Sequence, residues 1–243
     1  SVATTTVRSS VAKEGALTAK MSGINMYNLL SQLVDNFNSD IIVKLENIIK
    51  KIFNKNNLIV SLSGDQETLD LLTEATKELQ LEESVLDNEL NISYEKLESD
   101  ALIIPSGVNC NVKGMNLTDL GRELNGSLYV IQHILNYDYL WPEVRVKGGA
   151  YGCSLSLSIS NDILFGSFSD PNVANTYNVY DSVATYLEEF NPNIDEFNSY
   201  LIGTIAKVDP PASIYSKIAT ADKNLLCNIT LERLEKVKSE ILS

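Results

Sequence analysis

The sequence predicts an α+β fold in which an antiparallel sheet packs with helices, and two kinds of periodicity carry that expectation. Tyr151, Cys153, Leu155, Leu157 and Ile159 alternate at period two, as in a strand with one buried face. Asn161-Asp162 turns the chain into Ile163-Leu164-Phe165, so the two runs read as a hairpin. Elsewhere apolar residues recur at helical spacing, as in Val173, Tyr177, Tyr180, Ala184, Leu187 and Phe190. The order strand, helix, hairpin, helices fits α+β.

Taken in order, residues 10–53 read as helices. The second has Ile41, Leu45, Ile48, Ile49, Ile52 and Phe53 in phase after Ser39-Asp40, an N-cap pair. Asn54 to Asn57 breaks that pattern, and Leu58–Leu62 is expected to be a compact strand. Ser63-Gly64-Asp65 leads into a helix carrying Leu69, Leu72, Ala75 and Leu79. Residues 80–100 are acidic and rich in Asn, with weak periodicity, and read as a linker. The expected division is therefore 1–90 and 91–243. Ala101 to Val112 reads as extended and Gly126 to Tyr137 as a helix. Trp141 and a charged turn then lead into Arg145. Pro171 is expected to open a helix, and another runs from Ile194 through Phe197, Leu201 and Ile205 to Pro210-Pro211. Leu231, Leu234, Val237 and Ile241 stay in phase to the end, which points to a domain truncated at its C-terminus. A first residue other than methionine points to an excised piece of a longer chain.

Composition narrows the chemistry. Apolar residues make up 44% of the 243, enough for a core, and no apolar run approaches the roughly 20 residues that span a bilayer. With 32 acidic against 19 basic residues the net charge is −13. Such a surface repels nucleic acid and anionic membrane and suits a basic peptide better. Cys110, Cys153 and Cys227 are odd in number and widely spaced, which fits reduced thiols in a reducing interior rather than a disulfide framework. His133 is the single histidine, so neither an imidazole-based zinc site nor a triad at any other histidine is available.

What remains is the segment from Trp141 to Gly152. Arginine is a permanent fork of donors, and a tyrosine hydroxyl both donates and accepts. Set on either side of Gly148-Gly149, Arg145 and Tyr151 can converge on one polar substrate group. On the residues alone, the reading to prefer is a surface arginine, an inward strand tyrosine and a simple turn.

Leu140-Trp-Pro-Glu-Val-Arg-Val-Lys-Gly-Gly-Ala-Tyr-Gly152 resembles the LW-x-x-VRV-x-GGAYG stretch of presequence-protease-type peptidases, zinc metallopeptidases of the insulinase/pitrilysin family. Gly166-Ser-Phe-Ser-Asp-Pro-Asn172, Leu201-Ile-Gly-Thr-Ile205 with Val208-Asp209, Met21-Ser-Gly-Ile24 and Val108-Asn109 keep that family's order. The resemblance implies a four-domain clamshell around a peptide chamber, with this chain forming the end of the third domain and most of the fourth. It places the zinc motif in an N-terminal half, which would be this chain's partner, and leaves this half without metal and inactive alone. Arg145 and Tyr151 would then orient a peptide and stabilise the oxyanion, in either assignment of roles, and Gly148 and Gly149 would let the turn approach the substrate backbone. A structural or partner subunit of the same family is the alternative. Two departures stand out: Phe168-Ser169 replaces a frequent Tyr-Arg, and Cys110 stands where an aromatic residue is frequent.

Overall fold

The computed structural model describes residues 1–81, 83 and 91–243. The chain opens with α1 (Val2–Val11), α2 (Lys13–Met21), α3 (Gly23–Asp35) and α4 (Ser39–Ile52). Asn38 caps α4 by accepting the Asp40 N–H at 3.0 Å, so the cap lies one residue before the expected pair. Leu58–Leu62 is not a strand, contrary to the sequence expectation. A strand needs a ladder for its N–H and C=O groups, and the described residues offer none beside it. Ser61 is instead tied to Asp222 at 2.8 Å. Asp65 then caps α5 (Gln66–Lys77) through the Thr68 N–H. The stretch 80–100 read as a linker lies partly outside the described residues.

The sheet begins with β1 (Asn109–Asn116), later than the extended run expected from Ala101. Next comes α6 (Gly126–Ile134), capped by Asn125 and by Glu240, which accepts the Gly126 N–H at 2.8 Å. It continues without a break into a π-type helix, Leu135–Lys147. The charged turn expected before Arg145 is therefore helical. Pro142 lacks only one donor there, and the wider i to i−5 turn gives its ring room that an α-helix denies. Leu140 and Val144 anchor the segment, being almost fully buried. The hairpin follows as β2 (Gly152–Leu157) and β3 (Asp162–Asp170), with Asn161 at φ 66° in its turn. The antiparallel order is β1-β3-β2, so β3 is central and runs five residues past the expected end at Phe165.

Helices α7 (Ala174–Asp181), α8 (Val183–Glu189), α9 (Ile194–Val208), α10 (Ile214–Leu226) and α11 (Leu231–Leu242) complete the chain. The helix expected from Pro171 starts at Ala174 and breaks at Ser182, and α10 has no counterpart in the sequence reading. The sheet's main core joins Leu155 to Leu135, Leu140, Val144, Ala150 and Tyr180. Each fully buried leucine contributes about 1.5–3 kcal/mol. A second core gathers Val130, Ile134 and Ile241. Helix α1 packs on β1, and its Arg8 pairs with buried Asp162 at 3.0 Å.

Two compact units result. One takes 1–29, 92–211 and 231–243, and the other takes 30–91 and 212–230. The chain thus crosses between units four times, whereas the sequence offers one boundary near residue 90.

Strand β2 is covered at Leu155 on its outer edge. Asn136 Oδ1 accepts the Leu155 N–H at 2.6 Å, and the Leu155 carbonyl accepts from Asn136 Nδ2 at 3.0 Å and Gln132 Nε2 at 2.9 Å. These side chains stand where a neighbouring strand would pair.

Candidate functional site

Arg145 lies on the last turn of the π-type helix, half-buried. One turn earlier is Trp141, and the guanidinium carbon stacks 4.2 Å from the centre of its ring. Arg145 Nη1 donates to the Tyr151 carbonyl, and the guanidinium lies 5.4 Å from the Tyr151 ring. Arg145 is therefore held between two aromatic rings and a backbone oxygen. Its other N–H groups have no partner among the described residues.

The helix ends at Gly148 and reverses at Gly149, whose φ of +80° is left-handed. A Cβ on Gly148 would come within 2.5 Å of the Val144 carbonyl, so the close helix end itself requires that glycine. Buried Ala150 anchors the turn, and the Tyr151 N–H donates to the Ser169 carbonyl at 3.2 Å. The Tyr151 side chain is 66% exposed, and its hydroxyl has no partner among the described residues. Its ring meets Phe168 edge-on at 5.6 Å, and Phe168 lies over Gly152, where a Cβ would come within 2.4 Å of the ring. The structure places Arg145 beside Tyr151, while Gly148 and Gly149 shape the helix end.

Joined to the glycine turn through Asn172 is a polar cluster that the sequence reading missed. Asp170 is fully buried. Its Oδ2 accepts from Ser167 Oγ at 2.6 Å, Thr176 Oγ1 at 2.7 Å and Asn111 Nδ2 at 3.1 Å, and its Oδ1 from the Asn172 N–H at 2.8 Å. Burial pushes its pKa upward, but the bonds from Ser167, Asn172, Thr176 and Asn111 outweigh that and hold it below the usual carboxylate range. Asn111 lies at a bulge where β3 carries an extra residue, with Ser169 left-handed at φ 46°. The available signal was Asp170-Pro171-Asn172, a turn sequence in which an Asp oxygen bonds the N–H two residues on.

Burial, followed by the nearby Asp170, pushes the Cys153 thiol up to about 11, and its Sγ donates to the Leu140 carbonyl at 3.2 Å. At pH 8 only roughly a thousandth of it is thiolate, so exposed Cys110 and Cys227 are expected to react with a disulfide reagent and Cys153 to wait for unfolding. A count of three fast thiols in the native chain would refute this. His133 is packed, since a Cβ on Gly203 would come within 2.6 Å of its Nε2. Burial first and Lys207 second lower its pKa. Among the described residues no group of three or more His, Cys, Asp or Glu lies where it could hold a metal. No helix among them is long and apolar enough to cross a membrane.

A small antiparallel sheet with its helical backing defines an α+β domain. Comparison with known proteins supplies the family: residues 99–243 match the model described as the PreP C-terminal domain, and the chain belongs to the presequence-protease family. It is 33% identical over 238 residues to Protein HypA of Clostridium perfringens, covering 94% of this chain and 24% of that protein. To presequence protease 1, chloroplastic/mitochondrial, of Arabidopsis thaliana it is 30% identical over 242 residues, covering 94% and 22%. The mitochondrial presequence protease of Drosophila melanogaster is 26% identical over 246 residues, covering 97% and 23%. The chain spans about a quarter of the length of these relatives.

Proposed function

We propose that this chain is the substrate-handling, C-terminal part of a peptidase that cuts unfolded peptides, and that Arg145 and Tyr151 are the groups that touch the substrate. The observation that carries this is the unpaired donor surface itself. Arg145 is fixed by Trp141 and the Tyr151 carbonyl, yet its other guanidinium N–H groups bond nothing among the described residues and lie beside the exposed Tyr151 ring. Those donors suit a peptide carbonyl, whose oxygen gains negative charge as the bond is attacked. Holding them rigid beforehand removes the cost of arranging them during the reaction. One of the two would bind a neighbouring backbone carbonyl and the other the reacting oxygen.

The described residues do not fit a zinc site: no cluster among them could hold a metal, and the chain's one histidine is packed against Gly203. We therefore place the zinc of the family's reaction outside this chain, in an N-terminal half that completes the enzyme. Alone, this chain is expected to bind peptide without cutting it.

The test is peptide turnover by the full-length peptidase that contains the chain. Arg145→Ala is expected to lower kcat/KM by roughly ten- to hundredfold, the worth of a charged hydrogen bond. Arg145→Lys keeps the charge but loses the planar fork and the stack, so it should restore little. Turnover that both substitutions leave unchanged would make the chain a scaffold.

A further inference from the structure

Arg145 and Tyr151 belong to different elements, a helix end and a strand start, so their spacing depends on what fixes the turn between them. Among the described residues one side chain hydrogen-bonds the Gly148–Gly149 backbone itself. Asn172 Nδ2 donates to the Gly148 carbonyl at 2.6 Å, just ahead of left-handed Gly149. Asn172 is in turn held at both of its backbone groups. Its N–H donates to buried Asp170, and its carbonyl accepts from Asn111 Nδ2 at 2.7 Å. A continuous path runs from the β1–β3 bulge through Asp170 and Asn172 to the glycine turn.

From this path we infer that Asn172 is a positioning residue, which sets Tyr151 against Arg145 by clamping the Gly148–Gly149 turn to the sheet. The inference rests on the reading of Arg145 and Tyr151 as substrate contacts. The side chain of Asn172 makes no other hydrogen bond among the described residues, and it meets the turn rather than the pair itself. Its removal takes away the tether and leaves the backbone bonds that support Asp170 in place. Without it, the Tyr151 N–H bond to the Ser169 carbonyl is left to join the turn to the sheet, with Arg145 on the Tyr151 carbonyl.

A double-mutant cycle in the full-length peptidase tests this. Asn172→Ala is expected to lower kcat roughly tenfold with KM little changed, as misplacement of a reacting contact does. Added to Tyr151→Phe, it is expected to cost less than about twofold more, because the contact it positions is already gone. Full additivity, or a wild-type rate for Asn172→Ala, overturns the inference. A Tyr151→Phe enzyme at wild-type rate instead overturns the reading on which it rests. Amide exchange in the 243-residue chain gives a measurement independent of catalysis. Asn172→Ala should accelerate exchange at Tyr151 and leave Leu155, whose N–H is held by Asn136, unchanged. Unchanged exchange at Tyr151 overturns the inference, and equal loss at both sites makes Asn172 a general stabiliser instead.

Discussion

Asp170→Ala is expected to destabilise the sheet unit by about 3–5 kcal/mol, from several buried donors left unpaired at about 1–3 kcal/mol each. Ser167 Oγ, Thr176 Oγ1 and the Asn172 N–H lose their acceptor, Asn111 Nδ2 keeps its bond to the Asn172 carbonyl, and the two buried hydroxyls have no solvent to turn to. The lost carboxylate also joins three elements, β1, β3 and the start of α7, so its removal loosens all of them. Urea unfolding of both chains measures the difference, and a loss below about 1 kcal/mol would show that the cluster relaxes without it. The pH dependence has a defined sign. A carboxyl whose folded pKa is depressed adds stability that is fully present above its unfolded pKa, about 3.9, and lost as pH falls through the folded value. The stability gap between the parent and Asp170→Asn should accordingly be largest above pH ~4 and shrink with acid below it. A gap that widens with acid would reverse the assignment.

Tyr151→Phe in the full-length peptidase should lower kcat by one to two orders of magnitude, roughly the worth of one donor to a developing oxyanion. The substitution deletes a single oxygen. Because that hydroxyl bonds nothing among the described residues, folding should be unaffected within about 0.5 kcal/mol. The ring's edge-on contact with Phe168 and the backbone carbonyl that holds Arg145 both survive. A kcat loss at unchanged stability therefore isolates the hydroxyl. An unchanged kcat would reduce Tyr151 to a packing residue.

The contrast between what the sequence announces and what it hides follows from the range of the interactions. The hairpin was readable because alternation at Cys153, Leu155 and Leu157 is written into neighbouring positions. The Arg145–Tyr151 pair spans only six residues around two glycines, so it too could be anticipated. Leu58–Leu62 has the composition of a strand but not its circumstances, since pairing is a relation to another segment. The helix through Pro142 was hidden because proline is read as a break, a rule that holds for α-helical hydrogen bonding and weakens in a wider turn. The Asp170 cluster was hardest to see, because Asn111 lies 59 residues from its partner and only the β1–β3 register brings them together.

The stack of Arg145 on Trp141 has an optical consequence. The chain contains one tryptophan, so its ultraviolet emission above the tyrosine background comes from a single ring, and that ring lies 4.2 Å from the charge that would meet a ligand. A bound peptide that draws the guanidinium aside changes the electric field on this one fluorophore. If the proposed site binds peptide, the isolated chain would carry its own label-free reporter of that occupancy.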